Sequence, residues 1–172
     1  MDSSSEKRPM TKSVHILLMG GTIDSQFVGK LDTVRPLKES VLPSYLEETV
    51  QFDLPHEYTA ICMKDSRELT PADRQELLKV VVGSSHHAIV ITHGTYTMPD
   101  TARFLKTNLK RCDQVIVLTA SMIPINGFSP SDGPFSLGYA IAQVEHLEPG
   151  IYVAINGRIF LPEEVVKIIA EG

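Results

Sequence analysis

The sequence predicts an α/β fold, a doubly wound and mostly parallel sheet in a flavodoxin- or Rossmann-like three-layer sandwich. Three observations predict it. Four short runs, residues 14–19, 88–91, 115–118 and 151–155, are apolar almost throughout, as strands buried on both faces of a parallel sheet are. The segments between them carry helix-start signals. Strand and helix then alternate along the chain, the pattern of a sheet covered by helices on both sides.

Taken in order, the chain opens with "MDSSSEKRPMTKS", polar and read as a flexible tail over residues 1–12 ahead of one domain over 13–172. "VHILLM" is the first strand; it is too short for a signal-peptide core and ends in Gly-Gly. Residues 24–53 are the least regular stretch, with one weak helix over 39–48 and a mobile loop over 27–37. A fifth strand is expected over 58–63. In "LTPADRQELLKVV", Thr70 is the N-cap, Pro71 takes the first helical position and Asp73 completes a capping box. "TMPDTARFLKTNL" repeats that arrangement with Thr97, Pro99 and Asp100. A third helix follows over 134–145.

The bulk numbers narrow the function classes. A chain of 172 residues with 42% hydrophobic and 22% charged residues is an ordinary globular domain. Its net charge of −5 argues against nucleic acid or an anionic membrane as partner. No apolar stretch has the length needed to span a bilayer, so the expected compartment is the cytoplasm. Cys62 and Cys112 have no metal-ligand spacing and are read as free thiols. The His86-His87 pair is read as an exposed turn without further ligands, and neither metal nor cofactor is expected.

Ligands of such sheets bind beyond the carboxyl ends of the strands. Four strand ends carry hydroxyls: "MGGTID", "CMKDSREL", "THGTYT" and "LTASMIP". Each polar residue has an ordinary explanation. Thr22 caps a turn, Thr70 and Thr97 cap helices, and His93 satisfies a backbone group at a strand end. Lys167 stands four residues after Glu163, the spacing of a surface ion pair on a helix. Thr95 is harder to dismiss, because Thr97 already supplies the cap. The four ends together are more specific than any one of them.

In these stretches the sequence resembles the bacterial-type L-asparaginases, as a short form lacking the C-terminal domain. "MGGTID" resembles the family's first threonine signature and "HGTYTMPDTARFL" its second. "LTASMIPINGFSPSDGPFSL", "DSRELTPADRQELL" and "VAINGRIF" are similar to the blocks between and after them. The resemblance implies an amidohydrolase converting L-asparagine to L-aspartate and ammonia, with weaker action on glutamine. It implies that Thr22 is the nucleophile, Thr95 the second catalytic threonine and Lys167 the catalytic lysine, eleven positions beyond Asn156. It further implies that Gly21, Asp65, Ser66, Arg67, Gly94 and Tyr96 line the substrate site, with Ser66 on the α-carboxylate.

The chemistry explains the residue types. Amide hydrolysis needs a nucleophile, a proton acceptor and donors for the oxyanion, here expected from backbone N–H groups at the glycine turns. Lysine serves as a base only when neutral, so its pKa must fall from ~10.4.

Three departures from the family pattern stand out. Tyr96 replaces the aspartate that receives the substrate's α-amino group, which leaves Asp65 or Asp24 to substitute, or weak affinity for free amino acids. Second, in "KLDTVRPL" Asp32 takes the place of the loop tyrosine, and Arg67 also stands where some members have glutamine and offers the α-carboxylate a bidentate partner. The third departure is the missing second domain, from which a homo-oligomer is expected, another copy completing the pocket and the tail "VVKIIA" offering one contact surface. Two other readings compete: an asparagine- or aspartate-binding sensor without catalysis, and an ammonia-releasing subunit of an amidotransferase.

Overall fold

The computed structural model describes residues 13–111, 113–127 and 130–165. Cys112, Lys167 and most of the tail "VVKIIA" lie outside the described residues, as does the segment 1–12.

The expected strands are present. β1 (Val14–Gly20), β4 (His56–Lys64), β5 (Ala88–Thr92), β6 (Val115–Thr119), β7 (Gly150–Ile155) and β8 (Arg158–Phe160) form one sheet in the order β4-β1-β5-β6-β7-β8. The first five are mutually parallel and β8 pairs antiparallel with β7. Every residue of β1, β5 and β6 is buried, which is why these runs carry no polar alternation. β4 is an edge strand, and its half-exposed residues blur the pattern. The β7–β8 hairpin turns at Asn156 and Gly157, both with positive φ (51° and 71°), as a two-residue hairpin loop requires.

Helices pack on both faces. Alternate residues of β1 separate the two cores: Val14, Ile16 and Leu18 join the side of α4 (Gly133–Gln143), whereas Leu17 and Met19 join that of α2 (Pro71–Gly83) and α3 (Met98–Asn108). The capping box at Thr70 is formed, with Pro71 at the first position. Asp73 also accepts two hydrogen bonds from Lys64 Nζ at 2.8 and 2.9 Å, fastening α2 to the end of β4. Among the described residues no helix is long and apolar enough to cross a membrane.

Several expectations change. Residues 27–37 belong to an antiparallel hairpin, β2 (Ser25–Val28) with β3 (Thr33–Pro36), with Asp32 in the left-handed region at φ 47° in its turn. The weak helix expected over 39–48 is present over 42–50, starting as one α turn, α1 (Leu42–Ser44), and continuing as a wider π-helical stretch over Tyr45–Val50. Thr97 makes no side-chain cap; its hydroxyl leaves the helix for another loop. Glu163 pairs with Lys106 of α3 at 2.6 Å. His87 is exposed, but His86 is half-buried beside His15, their ring centroids 5.0 Å apart. The sequence interval between those two histidines hid that contact.

Candidate active site

The strand order 2-1-3-4-5 of the parallel part reverses direction between β1 and β5, and such a switch point opens a crevice at the strands' carboxyl ends. A cavity of about 200 Å³ lies there. Its wall holds Gly21 and Thr22 after β1, Asp65, Ser66 and Arg67 after β4, and Gly94, Thr95 and Tyr96 after β5. Every site residue read from the sequence is on this wall except Lys167, which lies outside the described residues.

Backbone contacts draw the three loops together. Gly20 and Gly21 have φ of 75° and 77°. A Cβ on Gly21 would stand 2.5 Å from the Gly94 nitrogen, and one on Gly94 would stand 2.6 Å from Ser66 Oγ. No side chain fits at either position, so glycine is required. The Gly21 N–H donates to the Lys64 carbonyl at 2.9 Å, which removes it from the backbone donors expected to serve an oxyanion. Thr97 Oγ1 donates to the Ser66 carbonyl at 2.7 Å, tying the β5 loop to the β4 loop. Beneath them His93 is fully buried, with Nδ1 2.7 Å from the Gly94 carbonyl and Nε2 2.9 Å from Thr101 Oγ1. Burial pushes its pKa down to about 4, so the imidazole is a neutral support, as its strand-end position suggested.

Ser66 Oγ is buried and, among the described residues, has no hydrogen-bond partner. A buried hydroxyl left unpaired costs free energy unless a ligand or water meets it, and the residue that carries it lines the cavity. Asp65 and Arg67 are already committed to each other. Arg67 Nε and Nη2 reach the two carboxylate oxygens at 3.0 and 2.6 Å, and these bonds, with Arg35 nearby, hold the carboxyl below its usual range. The guanidinium also lies 4.7 Å over the Tyr96 ring. The Arg67 fork, read from sequence as a partner for a substrate carboxylate, is therefore spent on Asp65.

Asp24 is not on the wall. It is fully buried, accepting from Ser40 Oγ at 2.7 Å and the Val41 N–H at 2.9 Å, and burial raises its pKa. Its carboxylate organises the approach to α1. The fourth expected wall is also absent from the lining: the loop after β6 folds on itself, with Asp132 accepting from the Met122 and Ile123 N–H groups. The hairpin supplies that side of the cavity instead, through Ser25, Val34 and Pro36. The strand-turn-strand pattern of "QFVGKLDTV" was the available signal for it.

A larger groove of about 430 Å³ runs between α4 and the turn at residues 45–50, lined mainly by apolar side chains such as Leu46, Phe52, Leu137 and Ile141. Among the described residues its lining holds no Ser, Thr, Cys or Lys, so the smaller polar cavity is the chemical candidate. Cys62 is no competitor, since burial pushes its thiol up to about 11.

Comparison with known proteins gives a consistent result. The family described as "Asparaginase, N-terminal" matches residues 13–172. The "L-asparaginase 2" of Bacillus subtilis is 31% identical over 180 aligned positions, covering 96% of this chain and 46% of that protein. The "Glutaminase-asparaginase" of Acinetobacter glutaminasificans is 38% identical over 104 residues, 59% of this chain and 30% of that one. A solved structure, the probable cytoplasmic L-asparaginase from Campylobacter jejuni, superposes with a TM-score of 0.78 at 30% identity, covering 92% of this chain and 50% of that one. The chain spans half the length, or less, of these relatives.

Proposed function

The chain belongs to the asparaginase family, and on that premise we propose that it hydrolyses the side-chain amide of L-asparagine to L-aspartate and ammonia. One observation carries the reading: Thr22, Thr95 and Ser66, whose buried hydroxyl has no partner among the described residues, line the same cavity. Thr22 Oγ1 attacks the amide carbon and expels ammonia, and water then releases aspartate from the threonine ester. Thr95 and Lys167 form the pair that takes the hydroxyl proton and returns one to the leaving group. With the Gly21 N–H engaged elsewhere, the oxyanion falls to other N–H groups of the two threonine turns. Ser66 holds the α-carboxylate across Gly94.

Tyr96 and the Asp65–Arg67 pair tune this site. Among the lining residues Asp65 is the one carboxylate, and it is neutralised by Arg67, so the α-ammonium finds little countercharge and affinity for free asparagine is weak. The name of the Acinetobacter relative favours some action on glutamine as well. We assign the protein to the cytoplasm and to a homo-oligomer in which another copy closes the cavity. The same weak countercharge favours a second reading, a sensor that binds asparagine or aspartate without turnover.

Ammonia release from asparagine by the wild type, Thr22→Ala and Thr95→Ala proteins tests both readings. Hydrolysis requires turnover that each substitution abolishes, with circular dichroism and melting unchanged. Binding without ammonia in the wild type would leave the sensor. If Thr95→Ala unfolds, Thr95 is structural and its catalytic assignment falls.

A further inference from the structure

At the end of the sheet away from the cavity, three metal-ligating side chains meet. His15 near the start of β1 and Glu57 near the start of β4 are register partners, so their side chains leave the same face of the sheet. His86 approaches from the loop between α2 and β5. His15 Nε2 lies 3.9 Å from one Glu57 oxygen and His86 Nδ1 lies 3.7 Å from the other. One ligand atom from each residue lies within 4.8 Å of the other two.

The neighbours select which nitrogens are available. His15 Nδ1 stands 2.8 Å from Ser84 Oγ, a hydroxyl that also accepts the His86 N–H at 3.2 Å. In the tautomer that gives Nδ1–H to Ser84, whose hydroxyl also stands 3.4 Å from His86 Nδ1, His15 presents the Nε2 lone pair toward Glu57. There it meets the Thr59 hydroxyl at 2.8 Å, a contact that an arriving cation replaces. An outer hydrogen bond on the second ring nitrogen is the support that metal-bound histidines characteristically have.

The loop is held firmly enough to present His86. Arg111 Nη1 donates to the Val82 and Ser84 carbonyls at 3.1 and 2.7 Å, and Gln114 Nε2 donates to the His86 carbonyl at 3.1 Å. The cluster also faces the carboxyl end of α2, whose C-cap is Ser84, and that end of a helix dipole favours positive charge.

From these observations we propose that His15 Nε2, Glu57 and His86 Nδ1 bind a divalent ion of the zinc class, with water completing the shell. Two imidazoles and one carboxylate are a ligand set that zinc accepts. Bonds of about 2.05 Å place tetrahedral ligands roughly 3.3 Å apart, so each imidazole must approach the carboxylate by about half an ångström. The two imidazole nitrogens, within 4.8 Å of each other, must close by at most roughly 1.5 Å. Glu57, with its side chain 57% exposed, is free to make that adjustment. The ion joins β1, edge strand β4 and the entry to β5, and it acts independently of amide hydrolysis.

The test is a zinc titration of chelator-treated full chain by calorimetry, with melting followed in parallel and cobalt as a spectroscopic probe. His86→Ala and Glu57→Gln are the variants, since Glu57 is exposed and His86 lies in a loop outside the sheet. Wild type should bind a single equivalent, melt at a higher temperature with zinc and give an intense tetrahedral cobalt spectrum. Each variant should bind roughly tenfold or more weakly and lose the melting shift. Absence of binding in the wild type, or variants that bind as tightly as the wild type, overturns the proposal.

Discussion

His93 has no exposed surface, and both its ring nitrogens face protein oxygens. Its pKa of about 4, against 6.5 for an ordinary imidazole, comes first from burial. The unfolded chain therefore binds a proton between pH 6.5 and 4 that the folded chain refuses. The stability owed to this neutral imidazole is complete above pH 6.5 and falls as pH drops toward 4, by roughly 3 kcal/mol across the window. Urea unfolding of wild type and His93→Gln at several pH values checks the sign: the wild-type curve should lose stability more steeply over that interval. Parallel curves would mean that His93 titrates normally. The residue supports the site by staying neutral, holding Gly94 and Thr101 from beneath.

Among the elements, two threonines that read alike in sequence behave differently. Thr70 caps α2 with a full capping box, and Thr70→Ala should cost about 1 kcal/mol of stability with little change in activity. Thr97 precedes α3 in a similar context, yet its hydroxyl binds the Ser66 carbonyl. Losing one such bond is worth about 0.5–1.5 kcal/mol. Thr97→Val should therefore lower the melting temperature by only a few degrees and raise KM for asparagine roughly 2- to 10-fold, with kcat near wild type. If KM does not move while melting falls, the bond serves the fold alone. The difference arises because a cap is a local contact, whereas the tie to Ser66 joins residues 31 positions apart.

Across the whole molecule, the cavity opens at the switch point with the β2–β3 hairpin as its outer wall. The proposed closure by another copy is a statement about assembly. Light scattering on the purified chain should give a multiple of its 19.0 kDa mass. Full turnover by a 19.0 kDa monomer would remove copy-supplied closure from the proposal. The zinc-class site lies at the amino ends of the strands, so a metal-dependent melting shift should appear without a matching change in ammonia release.

What the amino-acid order alone determined is whatever short-range physics writes into it. The apolar runs of β1, β5 and β6 declare strands buried on both faces, and Thr70-Pro71 with Asp73 declares a helix start. The threonine signatures place hydroxyls at strand ends. Tertiary structure alone decided what depends on segments meeting across space. It turned residues 27–37 into a wall of the cavity, spent Arg67 on Asp65, buried Asp24 under α1 and withdrew the loop after β6. It also brought His15, Glu57 and His86 together from three strands' ends. The reason is physical: a helix cap or a buried strand is satisfied within a few residues, whereas a cavity or an ion site is satisfied only by partners that the sheet order brings within reach.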